Sequence, residues 1–203
     1  MIRPAALMAA LAATASSFAI TPSFAQDTQT AIFAGGCFWC VESDFDHVDG
    51  VTSTVSGYIG GSTENPTYQN HSGHVEAVRI TYDPSKVSYD ELLTVFWHSI
   101  DPTDGGGQFC DRGHSYTTAI FATDQEQLQK AKATKADVEK QLGSVATEIA
   151  MAPTFWEAEG YHQDYYLKNP VKYKFYRTGC GRNKTVERVW GDDAFKGIKD
   201  AIG

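Results

Sequence analysis

Between residues 31 and 48 an apolar strand runs into two glycines and straight out into a helix, and few folds can house that junction. Ala31-Ile32-Phe33-Ala34 reads as a buried strand, closed by the turn residues Gly35-Gly36. Phe38, Val41, Phe45 and Val48 then recur at three- and four-residue steps, the signature of an amphipathic helix that Gly50 ends. The rest of the chain keeps alternating. Residues 51–59 and 74–83 read as strands separated by a Gly/Asn/Ser/Pro-rich loop, and Ser88 and Glu91 form a capping box ahead of Leu92, Leu93, Phe96 and Ile100. A Gly-rich loop over 103–116 carries Cys110, Asp111 and His114. A strand over 117–122, a helix up to Leu142, a strand over 147–152 and a helix over 157–168 follow. Two consecutive strands exclude purely parallel winding. The pattern predicts an α+β domain, a two-layer sandwich with helices on a mixed sheet.

The first 25 residues are set apart from that fold. A positive start at Arg3, an uncharged Ala/Leu-rich run and the small residues of Ser23-Phe24-Ala25 match a secretory signal peptide, too short and broken to span a membrane. The expected organisation is signal peptide 1–25, leader 26–30, catalytic domain 31–170 and an irregular basic tail 171–203 with room for one or two short helices. Export to a periplasm, or secretion, is the expected localisation. A formal net charge of −8 argues against a nucleic-acid surface, and no later run reaches membrane length, so a soluble monomer is expected.

All four cysteines lie beyond the signal segment, at 37, 40, 110 and 180. Cys37 stands where a helix starts, and unpaired N–H groups at that end favour a thiolate over a thiol of pKa near about 8.5. With Cys40 it forms a C-x-x-C, open to three readings: a nucleophile with a second thiol, a thioredoxin-like exchanger, or a zinc half-site completed by His71, His74, His114 or Cys110. The zinc module lacks a second paired motif. Phe38 and Trp39 between the thiols suit the wall of an apolar pocket instead. Glu76 falls on the strand face of Val78, Ile80 and Tyr82, where burial raises a carboxyl pKa and makes it a proton donor; pairing with Arg79 at a sheet edge is the alternative.

Gly35-Gly36-Cys37-Phe38-Trp39 resembles the signature of A-type peptide-methionine sulfoxide reductases. So do Gly57-Tyr58-Ile59-Gly60-Gly61, Asn65-Pro66-Thr67-Tyr68, Gly73-His74-Val75-Glu76-Ala77-Val78, the stretch from Asp111 to Tyr116, and His162-Gln163. The resemblance implies a ferredoxin-like α/β sandwich and no bound cofactor. It makes Cys37 the nucleophile, Glu76 the acid on the sulfoxide oxygen, and Tyr58 and Tyr116 supporting donors. Phe38, Trp39 and Asp111 become substrate-binding walls. Reduction of methionine S-sulfoxide would leave a sulfenic acid at Cys37, which a second thiol closes to a disulfide for an external thioredoxin-like dithiol to reduce. Gly-flanked Cys180 resembles the family's mobile resolving thiol, with Cys40 and then Cys110 as alternatives. Oxidised exported proteins or peptides are the implied substrates.

Overall fold

The computed structural model describes residues 27–199, so the signal segment and the last four residues lie outside the described part. The elements run β1 (Gln29–Gly35), α1 (Phe38–Asp46), β2 (Val51–Ile59), β3 (Val75–Tyr82), α2 (Tyr89–Trp97), β4 (Gly107–Gln108), β5 (Asp111–Arg112), β6 (Thr118–Ala122), α3 (Gln125–Leu142), β7 (Glu148–Met151), β8 (Trp156–Glu157), α4 (Tyr165–Lys168), α5 (Pro170–Gly179) and α6 (Arg182–Trp190). Six strands form one sheet in the order β7-β6-β1-β3-β2-β8, antiparallel throughout except for the parallel β6–β7 pair. The mixed α+β sandwich read from the alternation is the fold.

Alternation along β1 divides the core between the two faces of the sheet. Ala31 and Phe33 join the main cluster with α1 and α2, and Ile32 and Ala34 join a smaller one with Ile59, Val75 and Phe121. Helix α2 starts at the predicted capping box, with Glu91 N–H on Ser88 Oγ at 3.2 Å and Ser88 N–H on Glu91 Oε2 at 2.8 Å. Among the described residues no helix is long and apolar enough to cross a membrane.

Two segments depart from the sequence reading. Residues 157–168 form one short strand, turns and a single helical turn rather than a helix, because their polar side chains are committed to distant backbone. Gln163 accepts from Ser56 N–H at 2.8 Å and returns an N–H to Ser56 O at 2.9 Å, acting as a strand partner for β2. Glu159 takes the Tyr68 N–H, and Asp164 sits in the left-handed region at φ 52°. The tail beyond Pro170 is more regular than expected: the two short helices for which it has room form, as α5 and α6, and help close the core. Arg177 pairs with Asp44 of α1 at 2.8 Å and Arg182 with the same carboxylate at 3.5 Å, with side-chain exposures of 1–3 %. Arg182 also donates to Gly35 O and Ser99 O, and Trp190 Nε1–H to Ile100 O. Helix α1 is consequently buried on nearly every side, polar residues included.

Candidate active site

Cys37 is the N-cap of α1, at the turn where β1 ends. Gly36 makes that turn possible at φ +85°, and a Cβ there would stand 2.6 Å from Gln108 Cβ. Around the sulfur lies a cavity of about 60 Å³ lined by Cys37, Phe38, Trp39, Tyr68, Glu76, Asp111, Tyr116 and Tyr176. Wider clefts exist elsewhere, but the one near Val48 and Lys196 holds no nucleophile.

Glu76 is 1 % exposed, and its Oε2 accepts the Phe38 N–H at 3.0 Å. Burial, aided by the neighbouring Asp111 charge, pushes its pKa up to about 8 against the pull of that hydrogen bond. Glu76 is therefore mostly protonated at neutral pH. Arg79, its alternative partner, is engaged with Glu157 at 2.5 Å instead.

Burial opposes the ionisation that the helix end favours at Cys37. The first amide of α1 is given to Glu76, and burial at 6 % exposure raises the Cys37 thiol, with the Cys40 thiol adding to the rise. Contact with the Cys37 thiol and the guanidiniums of Arg182 and Arg177 outweigh burial and lower Cys40 to about 7.

The aromatic walls are rigid. Trp39 stacks on Tyr165 at 3.7 Å and donates its indole N–H to His162 Nδ1 at 3.0 Å, while Phe38 packs on Tyr58 and His162. Tyr116 lines the cavity as expected; Tyr58 does not. Although Tyr58 is the cross-strand neighbour of Glu76, it is fully buried and its hydroxyl donates to Glu159 Oε2 at 3.0 Å. The second cavity phenol is Tyr68, from the Asn65-Pro66-Thr67-Tyr68 segment, which lines it together with Tyr116. Tyr176 escaped the sequence reading, and His162, matched by the family resemblance, carries no role there. Tyr176 reaches the cavity from α5, its hydroxyl donating to Asp111 Oδ2.

Cys180 is not free to meet Cys37 here, because it is joined to Cys110 in a disulfide; Cys37 and Cys40 are the free pair. The histidines considered for zinc are occupied with backbone groups. His74 holds Gly61 N–H and Thr63 O, His71 faces Thr67 O and His114 faces Gly73 O.

The model of the peptide methionine sulfoxide reductase family matches residues 29–194. The chain belongs to that family. Peptide methionine sulfoxide reductase MsrA 2 of Rhizobium meliloti is 54% identical over 184 residues, covering 89% of this chain and 93% of that protein. MsrA of Bacillus subtilis is 48% identical over 170 residues, covering 80% and 96%. Among solved structures, methionine sulfoxide reductase A of Corynebacterium diphtheriae superposes with a TM-score of 0.68 at 34% identity, covering 71% of this chain and 76% of that one. The family resemblance read from the motifs is thereby established, and with it the family fold.

Proposed function

We propose that Cys37 is the sulfur this peptide-methionine (S)-S-oxide reductase commits to its substrate, with Glu76 as the acid. The observation that carries the reading is a buried carboxyl, its pKa pushed up to about 8, sharing one small aromatic-walled cavity with a free thiol. A sulfoxide oxygen leaves sulfur only once protonated. Glu76 supplies that proton while Tyr116 and Tyr68 donate to the same oxygen. Cys37 bonds to the substrate sulfur, the oxygen passes to Cys37 as a sulfenic acid, and the thiol's proton refills Glu76. Methionine departs. Phe38 and Trp39 form the apolar wall for the methyl group, so only the hand that points oxygen at Glu76 and methyl at Trp39 reacts; family membership implies that this hand is the S epimer.

We assign closure of the sulfenic acid to Cys40, the second choice from the sequence, because Cys180 is bonded to Cys110. Cys40 lies three residues on in the same helix, in contact with Cys37 and held near neutral pKa by Arg182 and Arg177. Its thiolate attacks the Cys37 sulfur, water leaves, and a Cys37–Cys40 disulfide forms. A thioredoxin-like dithiol restores both thiols. The N-terminal sequence supports export, and with it repair of oxidised proteins in a periplasm by a carrier present there. Cys37→Ser is expected to abolish methionine release from methionine sulfoxide with dithiothreitol. Turnover at the normal rate in that variant removes the assignment. N-terminal sequencing of the mature protein tests export, with Gln26 expected first.

A further inference from the structure

The pocket that holds Cys37 is filled from within. Tyr176 lines it together with Cys37, donates its hydroxyl to Asp111 and sets its ring edge-on to Trp39. What stays open is about 60 Å³, against about 300–1,000 Å³ for ordinary ligand pockets. Both ends of the Tyr176–Asp111 bond are tied to one covalent link. Asp111 directly follows Cys110. Cys180 lies one turn beyond Tyr176 on the same face of α5, its N–H on Tyr176 O at 2.9 Å. The Cys110–Cys180 disulfide joins the two, with Cα atoms 4.8 Å apart.

The two anchors are held differently. On the α5 side, Arg177 and Arg182 flank Tyr176 and Cys180 and are locked onto buried Asp44. On the other side the β4–β5 hairpin is fixed at its base, by Gln108 on the Asp101 backbone and by Arg112 paired with Asp104, while its exposed Cys110 tip is tied to α5 by the disulfide. Cys110 is exposed, within reach of a partner's thiol.

We propose that the Cys110–Cys180 disulfide is a latch that keeps Tyr176 seated beside Cys37, so that the sulfoxide enters only after an external dithiol has opened that bond. The inference rests on Cys37 being the nucleophile. One thiolate of the carrier attacks the Cys110 sulfur, the S–S bond breaks, and Cys180 leaves as a thiolate and takes up a proton. The carrier's second thiol then attacks the mixed disulfide, freeing Cys110 and leaving the carrier oxidised; two electrons have passed to the Cys110/Cys180 pair. The hairpin is then untied from α5, Asp111 parts from Tyr176, and the phenol swings clear. A latched enzyme thus accepts no substrate until reductant is at hand, and no sulfenic acid is stranded at Cys37.

The test times methionine release in the first turnover, by rapid quench, without added reductant. Wild-type protein with Cys110–Cys180 bonded and Cys37 and Cys40 free, established by differential alkylation and mass, is compared with Cys110→Ser. Release by Cys110→Ser is expected to be faster by about tenfold or more, the factor that about 1.4 kcal/mol of barrier represents. Tyr176→Ala with the disulfide intact is expected to match Cys110→Ser, and Tyr176→Phe, which keeps the ring but loses the Asp111 bond, to fall between. Equal first-turnover rates in wild type and Cys110→Ser overturn the latch and leave Cys37 as nucleophile. No acceleration in either Tyr176 variant overturns Tyr176 as the stopper. No methionine from any form overturns the catalytic assignment itself.

Discussion

Replacing Glu76 with Gln exchanges one oxygen for an amide nitrogen and keeps the shape, so it isolates the proton. The carbonyl of the new amide still accepts the Phe38 N–H that Glu76 takes at 3.0 Å, and the cavity walls are untouched. With its pKa near 8, Glu76 carries its proton in about nine molecules of ten at pH 7. Loss of a positioned general acid costs about 100- to 10,000-fold, or about 3–5 kcal/mol of barrier. The assay is single-turnover methionine release from pH 6 to 10 with the pocket opened by reduction. Wild type is expected to lose about tenfold in rate per pH unit above 8, since the reacting form is the protonated acid; the variant is expected to be slow and flat. Stability gives an independent reading. Folded Glu76 titrates near 8 against 4.5 for the ordinary group, so between those values the native state holds the extra proton and loses stability as pH rises. Each unit is worth about 1.4 kcal/mol, so Glu76→Gln is expected to exceed wild type by a few kcal/mol at pH 8, with the gap closing toward pH 4.5. An alkaline limb that survives in the Gln variant, or a rate within threefold of wild type, refutes the acid role.

Three further outcomes follow from the geometry. Cys40→Ser is expected to release one methionine per chain and then stop with Cys37 as sulfenic acid, trapped by a dimedone probe; continued cycling at the wild-type rate assigns resolution to another thiol. Asp44→Asn leaves two guanidiniums buried without their carboxylate and is expected to lower stability by about 3–5 kcal/mol, read as a drop in the urea midpoint. Gly36→Ala meets Gln108 Cβ at 2.6 Å in a left-handed turn, and Gln108 cannot retreat because it is bonded on both sides to the Asp101 backbone. A loss of about 2–4 kcal/mol, from overpacking and the φ penalty, with methionine release falling in step, is expected from denaturation and activity measurements.

What the sequence disclosed was what repeats locally. The strand–glycine–helix junction, the capping box and the apolar face carrying Glu76 each leave a period or a local pattern, and all three stand in the structure. Tyr58 shows where such reasoning stops. Its closeness to Glu76 is real, as β2 and β3 pair the two residues, but only the fold reveals that Glu159, a hundred residues away, already holds its hydroxyl. Tyr68 lies in a segment matched by the family resemblance, yet a loop phenol has no periodicity to assign it a face. Asp44, Arg177 and Arg182 are illegible for a related reason: on a helical projection they read as solvated charge, and only the closing of α5 and α6 over α1 turns them inward. The raised Cys37 thiol has the same origin: it comes first from burial, which only the closed fold creates, and then from the neighbouring Cys40 thiol and Glu76.

The grip of Arg182 on Gly35 O and Ser99 O has a bearing on how the molecule comes into being. Synthesis runs from the N-terminus, so the turn presenting Cys37 emerges long before the guanidinium that props it up. A nascent polypeptide owns the thiol and the carboxyl yet lacks the brace that sets them. Competence arrives all at once, near the end of the chain, and a premature stop anywhere before that arginine leaves a reactive sulfur with no finished chamber around it.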